Sequence, residues 1–306
     1  MKPIASLFSI FILTICSLFT LSAQSQNEYT GALLWKISGN GLNQPSYVLG
    51  THHLAHVSFV DSIPGLRDAM SSTQQTVGEL LMSEQPTMQA KLQQAAMMPT
   101  GETYKTLLTA DEYATLDAAL KELFMVGLDQ FSQLKPGMIS MLYTITLYTK
   151  NFPEFNPMAH EAIDAYVQRI ANENGKATLG LETVEDQIYA LFDAEPLKDQ
   201  AKSLACAVGN KDWAIKSLNK LNEYYKAKDL SNMYNLAFND PEDPCQMSQT
   251  YESAINKDRN DKWLEKLPQI MKDKSSLIAV GALHLTGKEG LLYGLAKKGY
   301  KVEPVK

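Results

Sequence analysis

Short apolar runs alternate along the chain with longer stretches in which apolar residues recur at helical spacing. "GALLWKIS" (31–38), "SYVLGT" (46–51), "QTVGELL" (75–81), "ATLGLE" (177–182) and "SSLIAVGALHL" (275–285) are short, aliphatic and bounded by polar or glycine residues, and are predicted to be buried strands. "DEYATLDAALKELFMVG" opens with an acidic first turn and sets Tyr113, Leu116, Leu120 and Phe124 on one face. "EAIDAYVQRIANENGK" does the same with Ile163, Tyr166, Val167 and Ile170, and its Asn174-Gly175 is a helix stop. Strands that alternate with helices predict an α/β sheet covered on both faces, and the helical stretches at 85–150 and 186–250 are long enough to form a cap. With no repeat and no Pro/Gly/Ser-rich boundary, residues 24–306 are expected to form a single domain.

The N-terminal "MKPIASLFSIFILTICSLFTLSAQSQ" departs from this pattern. One lysine, an apolar run of roughly 15 residues and Ser22-Ala23 lay out a secretory signal over 1–23, cleaved near Ala23. An uncleaved anchor is the alternative, although the run is short for a bilayer span. A lipoprotein signal fits less well, because Ile15 precedes Cys16 where a small residue is expected. After cleavage no stable membrane span is expected.

The formal net charge of −6, more negative once Lys2 is removed, and the lack of a basic stripe argue against nucleic acid as a partner. Of the three cysteines, Cys16 would leave with the signal, and Cys206 and Cys245 would reach an oxidising compartment. A disulfide between them is expected, with two separately buried thiols as the alternative; closing that loop would stabilise the fold by roughly 4 kcal/mol.

Chemistry concentrates where the predicted strands end. Gly50-Thr51-His52-His53 follows "SYVL" and Gly281-Ala282-Leu283-His284 follows "LIAV", so G-x-x-H occurs twice at a strand's carboxyl end in a chain with five histidines. Glycine there permits a sharp turn or a close approach, and that edge is where open α/β sheets bind ligands. Glu79 and Glu182 close two further strand readings. Two imidazoles and two carboxylates could thus meet at one edge as nitrogen and oxygen ligands for zinc, manganese, iron or cobalt, with water activated in an open position. His52 would point away if the strand persists, and His56 could join only through a helical turn. Glu185 and Asp186 fit a solvated first helical turn, whereas Glu182 at the end of "ATLGL" should be buried.

The paired "LGTHH" and "VGALHLTGKEGLLYGLAKKGYKV" resemble the two G-x-x-H motifs of the TraB/GumN family, whose animal relatives include the Tiki metalloproteases that clip Wnt. "LLWKISG", "IDAYVQRIANENGKATLGLETVEDQ" and "INKDRNDKWLEKL" extend the resemblance across most of 31–304. The resemblance implies a mixed, mainly parallel central sheet flanked by helices, with a helical cap insertion over the strand edge. It implies His53 and His284 as metal ligands, with Glu79 or Glu182 completing the shell or acting as general base, and a divalent transition metal (Mn, Co or Zn) as cofactor. Arg259 and Asn260 would face the same pocket, Arg259 holding a substrate carboxylate or a developing oxyanion. Asp164 matches the family's aspartate and would either orient a ligand or cap a helix.

No H-E-x-x-H helix, G-x-S-x-G elbow or phosphate-cradling G-x-x-x-x-G-K-[ST] is present, and the cysteines have no histidine nearby in sequence. The leading expectation is a secreted or periplasmic metal-dependent hydrolase acting on a peptide or protein substrate. A non-catalytic protein that binds a metal, haem or peptide, as pheromone-shutdown relatives would, is one alternative. A metal-free His/Glu hydrolase resembling the erythromycin esterases is another. Tyr224, Tyr225, Met233 and Tyr234 in the second cap stretch would pack helices rather than line a peptide groove. The oligomeric state is not legible in these residues.

Overall fold

Six strands form one sheet in the order β4-β3-β5-β2-β1-β6. They are β1 (Leu34–Ser38), β2 (Ser46–Thr51), β3 (Gln75–Gly78), β4 (Ala177–Gly180), β5 (Ser276–Gly281) and β6 (Lys301–Pro304). The computed structural model describes residues 29–153, 156 and 160–306; the expected signal over 1–23 lies outside the described residues. β5 runs parallel to both β2 and β3, and β3 is parallel to β4, while β1 is antiparallel to β2 and β6. The sheet is therefore mixed and mainly parallel, as expected. Register aligns Gly50 with Val280 and Gly78 with Ala279, so β2, β3 and β5 end at the same level.

Strands covered on both faces must be apolar at every position, which is why β5 reads as an unbroken Leu277-Ile278-Ala279-Val280 run with each residue buried. The β4 expectation needs correcting. "ATLGLE" is an edge strand with mostly exposed residues, Leu179 among them; only Leu181 and Glu182, just past its end, are buried. β6 was not foreseen because its "KVEP" alternates polar and apolar residues on the opposite edge.

In chain order the helices are α1 (Leu66–Ser72), α2 (Gln85–Ala95), α3 (Tyr104–Leu107), α4 (Ala110–Phe124), α5 (Pro136–Asn151), α6 (Ile163–Glu173) and α7 (Val184–Ile188). They continue with α8 (Leu197–Gly209), α9 (Lys211–Lys226), α10 (Leu230–Phe238), α11 (Gln249–Glu252), α12 (Asp258–Asp273) and α13 (Leu291–Lys297). The α4 prediction holds, with a Thr109/Glu112 capping box at its start and Leu116, Leu120 and Leu123 buried. α6 packs on β3 and β4 through Ile163 and Val167 and gives way to Gly175 at φ +69°. Single π turns, Tyr189–Asp193 and Ser253–Lys257, extend α7 and join α11 to α12.

Two hydrophobic clusters result. The larger one surrounds the sheet, and the smaller joins α3, α4, α5 and α8 through residues such as Leu116, Ile139 and Leu204. The second cap stretch is consequently shorter than expected. Tyr225, Leu230 and Met233 belong to the sheet's core, and Tyr224 packs against it, so these residues pack helices. The helical cap meets the loop after β2, where Tyr148 Oη of α5 donates to the Leu54 carbonyl, and Tyr225 Oη of α9 donates to the carbonyl of Gly50 within β2. A disulfide joins Cys206 of α8 to Cys245.

Candidate active site

Because β2, β3, β4 and β5 are parallel neighbours, their carboxyl ends open on one edge, and the chain leaves each with a polar group close by. Thr51 ends β2 with His53 two residues on, Glu79 directly follows β3, Glu182 stands two residues past β4, and His284 closes a 3₁₀ turn after β5. Gly50 answers a need for close approach: a Cβ there would lie 3.1 Å from Ala282 Cα. Gly281 contributes its N–H, which donates to Glu79 Oε1 at 2.7 Å. The two G-x-x-H glycines thus do different work.

Arg259, one residue into α12, ties the inner half of the edge together. Its Nε donates to Glu182 Oε2 at 3.0 Å, and Nη2 donates to Glu182 Oε1 at 2.7 Å and to Glu79 Oε2 at 2.6 Å. Nη1 faces the Ile255 carbonyl at 3.3 Å and His284 Nε2 at 3.1 Å. A guanidinium has five N–H donors, and these partners use them all. Arg259 therefore has no donor left for a substrate carboxylate or an oxyanion unless a partner is released, which departs from the role expected for it. With side-chain exposures of 14%, 11% and 3% for Arg259, Glu79 and Glu182, this is no surface ion pair.

His284 is held from both sides. Asn260 Oδ1 lies 2.8 Å from Nδ1, which assigns the proton to Nδ1 and leaves Nε2 to accept from Arg259. Burial lowers its pKa to about 3, so the ring is neutral at ordinary pH. Asn260 is fully buried and donates to the Glu289 carbonyl at 2.7 Å; it stands behind His284 and does not face the pocket as expected. Burial by itself would raise Glu79, but Arg259 and the two histidines hold it down at about 2. Burial outweighs Arg259 at Glu182 and raises it.

The outer half belongs to His53 and Asp164. His53 is exposed, and its Nδ1 lies 3.1 Å from Asp164 Oδ2 in the first turn of α6. The Asp164 charge raises His53 to about 9. Burial alone would raise Asp164, and His53 more than offsets it. Asp164 thus orients an imidazole and makes no helix cap. Between them and Glu79 lies a cavity of about 190 Å³, also lined by Thr51, Gln168 and Gln187.

The remaining histidines stay outside the site. His52 Nδ1 accepts from Leu54 N, its ring stands edge-on to Tyr225, and burial lowers its pKa to about 4. His56 caps the 3₁₀ turn Val57–Ser62. Glu185 and Asp186 occupy the first turn of α7, Asp186 within a Thr183 capping box. Sequence reasoning passed over Thr51, Gln168 and Gln187. Gln168 follows Asp164 by one helical turn, which places it on the same face and was readable. It bridges the loop after β3 by donating to the Leu80 carbonyl and accepting from Met82 N.

The fit of this donor set to a metal ion divides along the same line. Both imidazoles have Nδ1 anchored to a side-chain oxygen, the arrangement that fixes Nε2 as a metal donor. Asp164 Oδ1 and Thr51 Oγ1, from two residues that line the outer cavity, are buried with no hydrogen-bond partner among the described residues. His53, Asp164 and Glu79 line the same cavity. His284 fits only if Arg259 Nη1 withdraws from Nε2. Among the described residues no three His, Cys, Asp or Glu side chains are already arranged to hold an ion.

Compared with known proteins, residues 33–304 match the model of the TraB/PrgY/gumN family. No curated protein and no solved structure matches the chain.

Proposed function

The chain belongs to the TraB/PrgY/gumN family, and from that membership together with the strand-edge geometry we propose that it is a secreted hydrolase cutting a peptide bond with the help of a divalent transition metal (Mn, Co or Zn). The observation that carries the reading is the pairing of two Nδ1-anchored imidazoles with Glu79 at the carboxyl ends of parallel strands. His53 and Glu79 would hold the ion, with Asp164 beside them and His284 joining if Arg259 is drawn back. When bound, the ion would supply Lewis-acid charge for polarising the scissile carbonyl and acidifying water.

The chain's own groups have separate tasks in this reading. Glu79 is kept ionised by Arg259, the form in which a carboxylate can hold a cation. Asp164 fixes the ring of His53 so that Nε2 faces the reacting groups. Glu182 forms a fork with Arg259 and so positions the guanidinium behind Glu79. Peptide as the substrate class rests on the resemblance to the Tiki proteases. Secretion rests on the 1–23 segment and agrees with a disulfide, which persists in oxidising compartments. No described helix is long and apolar enough to cross a membrane.

The Arg259 contact with His284 Nε2 favours one second reading: a metal-free hydrolase in which Glu79 and the His53–Asp164 dyad act as base and acid. Cleavage of a diverse peptide library by the mature chain, with and without exhaustive chelation, separates the two. Activity abolished by chelation and restored by Mn, Co or Zn supports the metal reading, and activity that survives supports the second. Glu79→Gln and His53→Ala should each lower kcat by about 10² to 10⁴. Full activity in both variants would remove the site assignment.

A further inference from the structure

A second cavity, of about 420 Å³, lies within the helical cap and shares no lining residue with the site at the strand edge. It is bounded by α5, α8, α9, the π turn after α7, and the segment that carries Cys245 and Ser248. It is partly open to solvent, and its size is that of a small-molecule pocket. The space exists because three packed helices present small residues to it: Gly137 and Ser140 from α5, Ser203 and Ala207 from α8, and Ala214 from α9. Apolar side chains supply most of the remaining wall, including Met141, Ile145, Phe192, Leu204 and Trp213. An apolar wall of this extent gains by being covered.

One charged group sits deep in that wall. Glu195 is 8% exposed, and its carboxylate accepts from Ser248 Oγ at 2.5 Å. No lysine, arginine or histidine lines the cavity, and Asp243 adds a second acid. A buried carboxylate with a single hydroxyl partner gains from a cationic donor. The same acids repel an anionic ligand. From the apolar volume and a Glu195 carboxylate with no cation among the cavity's lining residues we propose that the cap is a binding site for a small apolar amine, its ammonium group on Glu195 and its hydrocarbon body against Trp213 and Phe192. The site is independent of the hydrolase reading.

A matched series of phenylbutylamine, phenylbutanol and phenylbutyrate, titrated into the full mature chain, tests this. Trp213 is the reporter, since Trp35 and Trp263 are buried in the sheet's core, and calorimetry gives a second readout. The amine should bind roughly ten- to a hundredfold more tightly than the carboxylate, the range for a hydrogen bond to a charged group. Glu195→Gln should erase that preference while phenylbutanol binds as before, and Ala207→Phe should abolish binding of all three. Ser203→Leu serves the same end if Ala207→Phe does not fold. Trp213→Phe should remove the fluorescence change but keep the heat. The proposal is overturned if none of the three saturates, if phenylbutyrate binds as tightly as the amine, or if the filled variants bind normally.

Discussion

Replacing Arg259 with methionine removes the cation from between two buried carboxylates while keeping much of the side-chain volume, including its packing 4.8 Å above the Trp263 ring. Glu79 and Glu182, with side-chain exposures of 11% and 3%, would then have no positive partner at hydrogen-bond distance apart from what water can supply. Removing one partner of a buried ion pair costs about 3–5 kcal/mol. The two losses do not simply add, because both carboxylates share one guanidinium and Glu182 can take up a proton. We therefore expect Arg259→Met to destabilise the fold by about 4 kcal/mol, a fall in Tm of roughly 6–7 °C for a chain of this size. Urea unfolding at neutral pH in the presence of a chelator, followed by tryptophan fluorescence and circular dichroism, gives the value. Adding Glu182→Gln to Arg259→Met should recover about 1–2 kcal/mol by removing one uncompensated charge. A loss below about 1 kcal/mol for Arg259→Met, or no recovery in the double variant, would refute the hub role assigned to Arg259.

Other expectations follow from contacts elsewhere. Gly50→Ala puts a Cβ against Ala282 at the corner of β5 and should cost about 1–3 kcal/mol in urea unfolding. Tyr225→Phe loses the buried hydrogen bond to the Gly50 carbonyl and should cost about 1–2 kcal/mol. Reducing the Cys206–Cys245 bond, or replacing both cysteines with serine, should lower stability by about 4 kcal/mol in the chain-entropy account, read as a shift in unfolding midpoint. Asp186 is held down at about 2 by Lys262 and the Thr183 cap, so its contribution is present above the ordinary carboxylate range and is lost as the pH falls toward 2. Asp186→Asn should therefore cost about 1 kcal/mol at neutral pH and flatten the decline in stability between roughly pH 4 and pH 2.

Much of the strand framework was legible because fully covered parallel strands leave a plain mark, an apolar run with no polar alternation. β2 matches its prediction end to end, and β5 fills most of its own. β4 shows where that reasoning fails: "ATLGLE" is as apolar as its neighbours, yet it lies at the sheet's edge, and edge position is a property of strand order that no local run encodes. β6 was missed for the complementary reason, since a half-covered edge strand needs few apolar residues.

The sequence by itself determined which residues stand at the ends of the apolar runs: His53, Glu79, Glu182 and His284 follow from where those runs stop, a one-dimensional fact. Which of these groups are charged, and which are free to act, was decided only by the tertiary structure. Arg259 lies 180 residues from Glu79 and 77 from Glu182, yet its guanidinium uses every donor on those two carboxylates, His284 and a carbonyl. His53 and His284 carry the same motif but part company in the fold, one exposed beside Asp164, which raises its pKa, the other buried on Asn260 and neutral. The reason is physical. Strand ends are set by local hydrophobic pattern, whereas protonation and hydrogen-bond occupancy depend on distance and burial, and these exist only once distant segments have packed together.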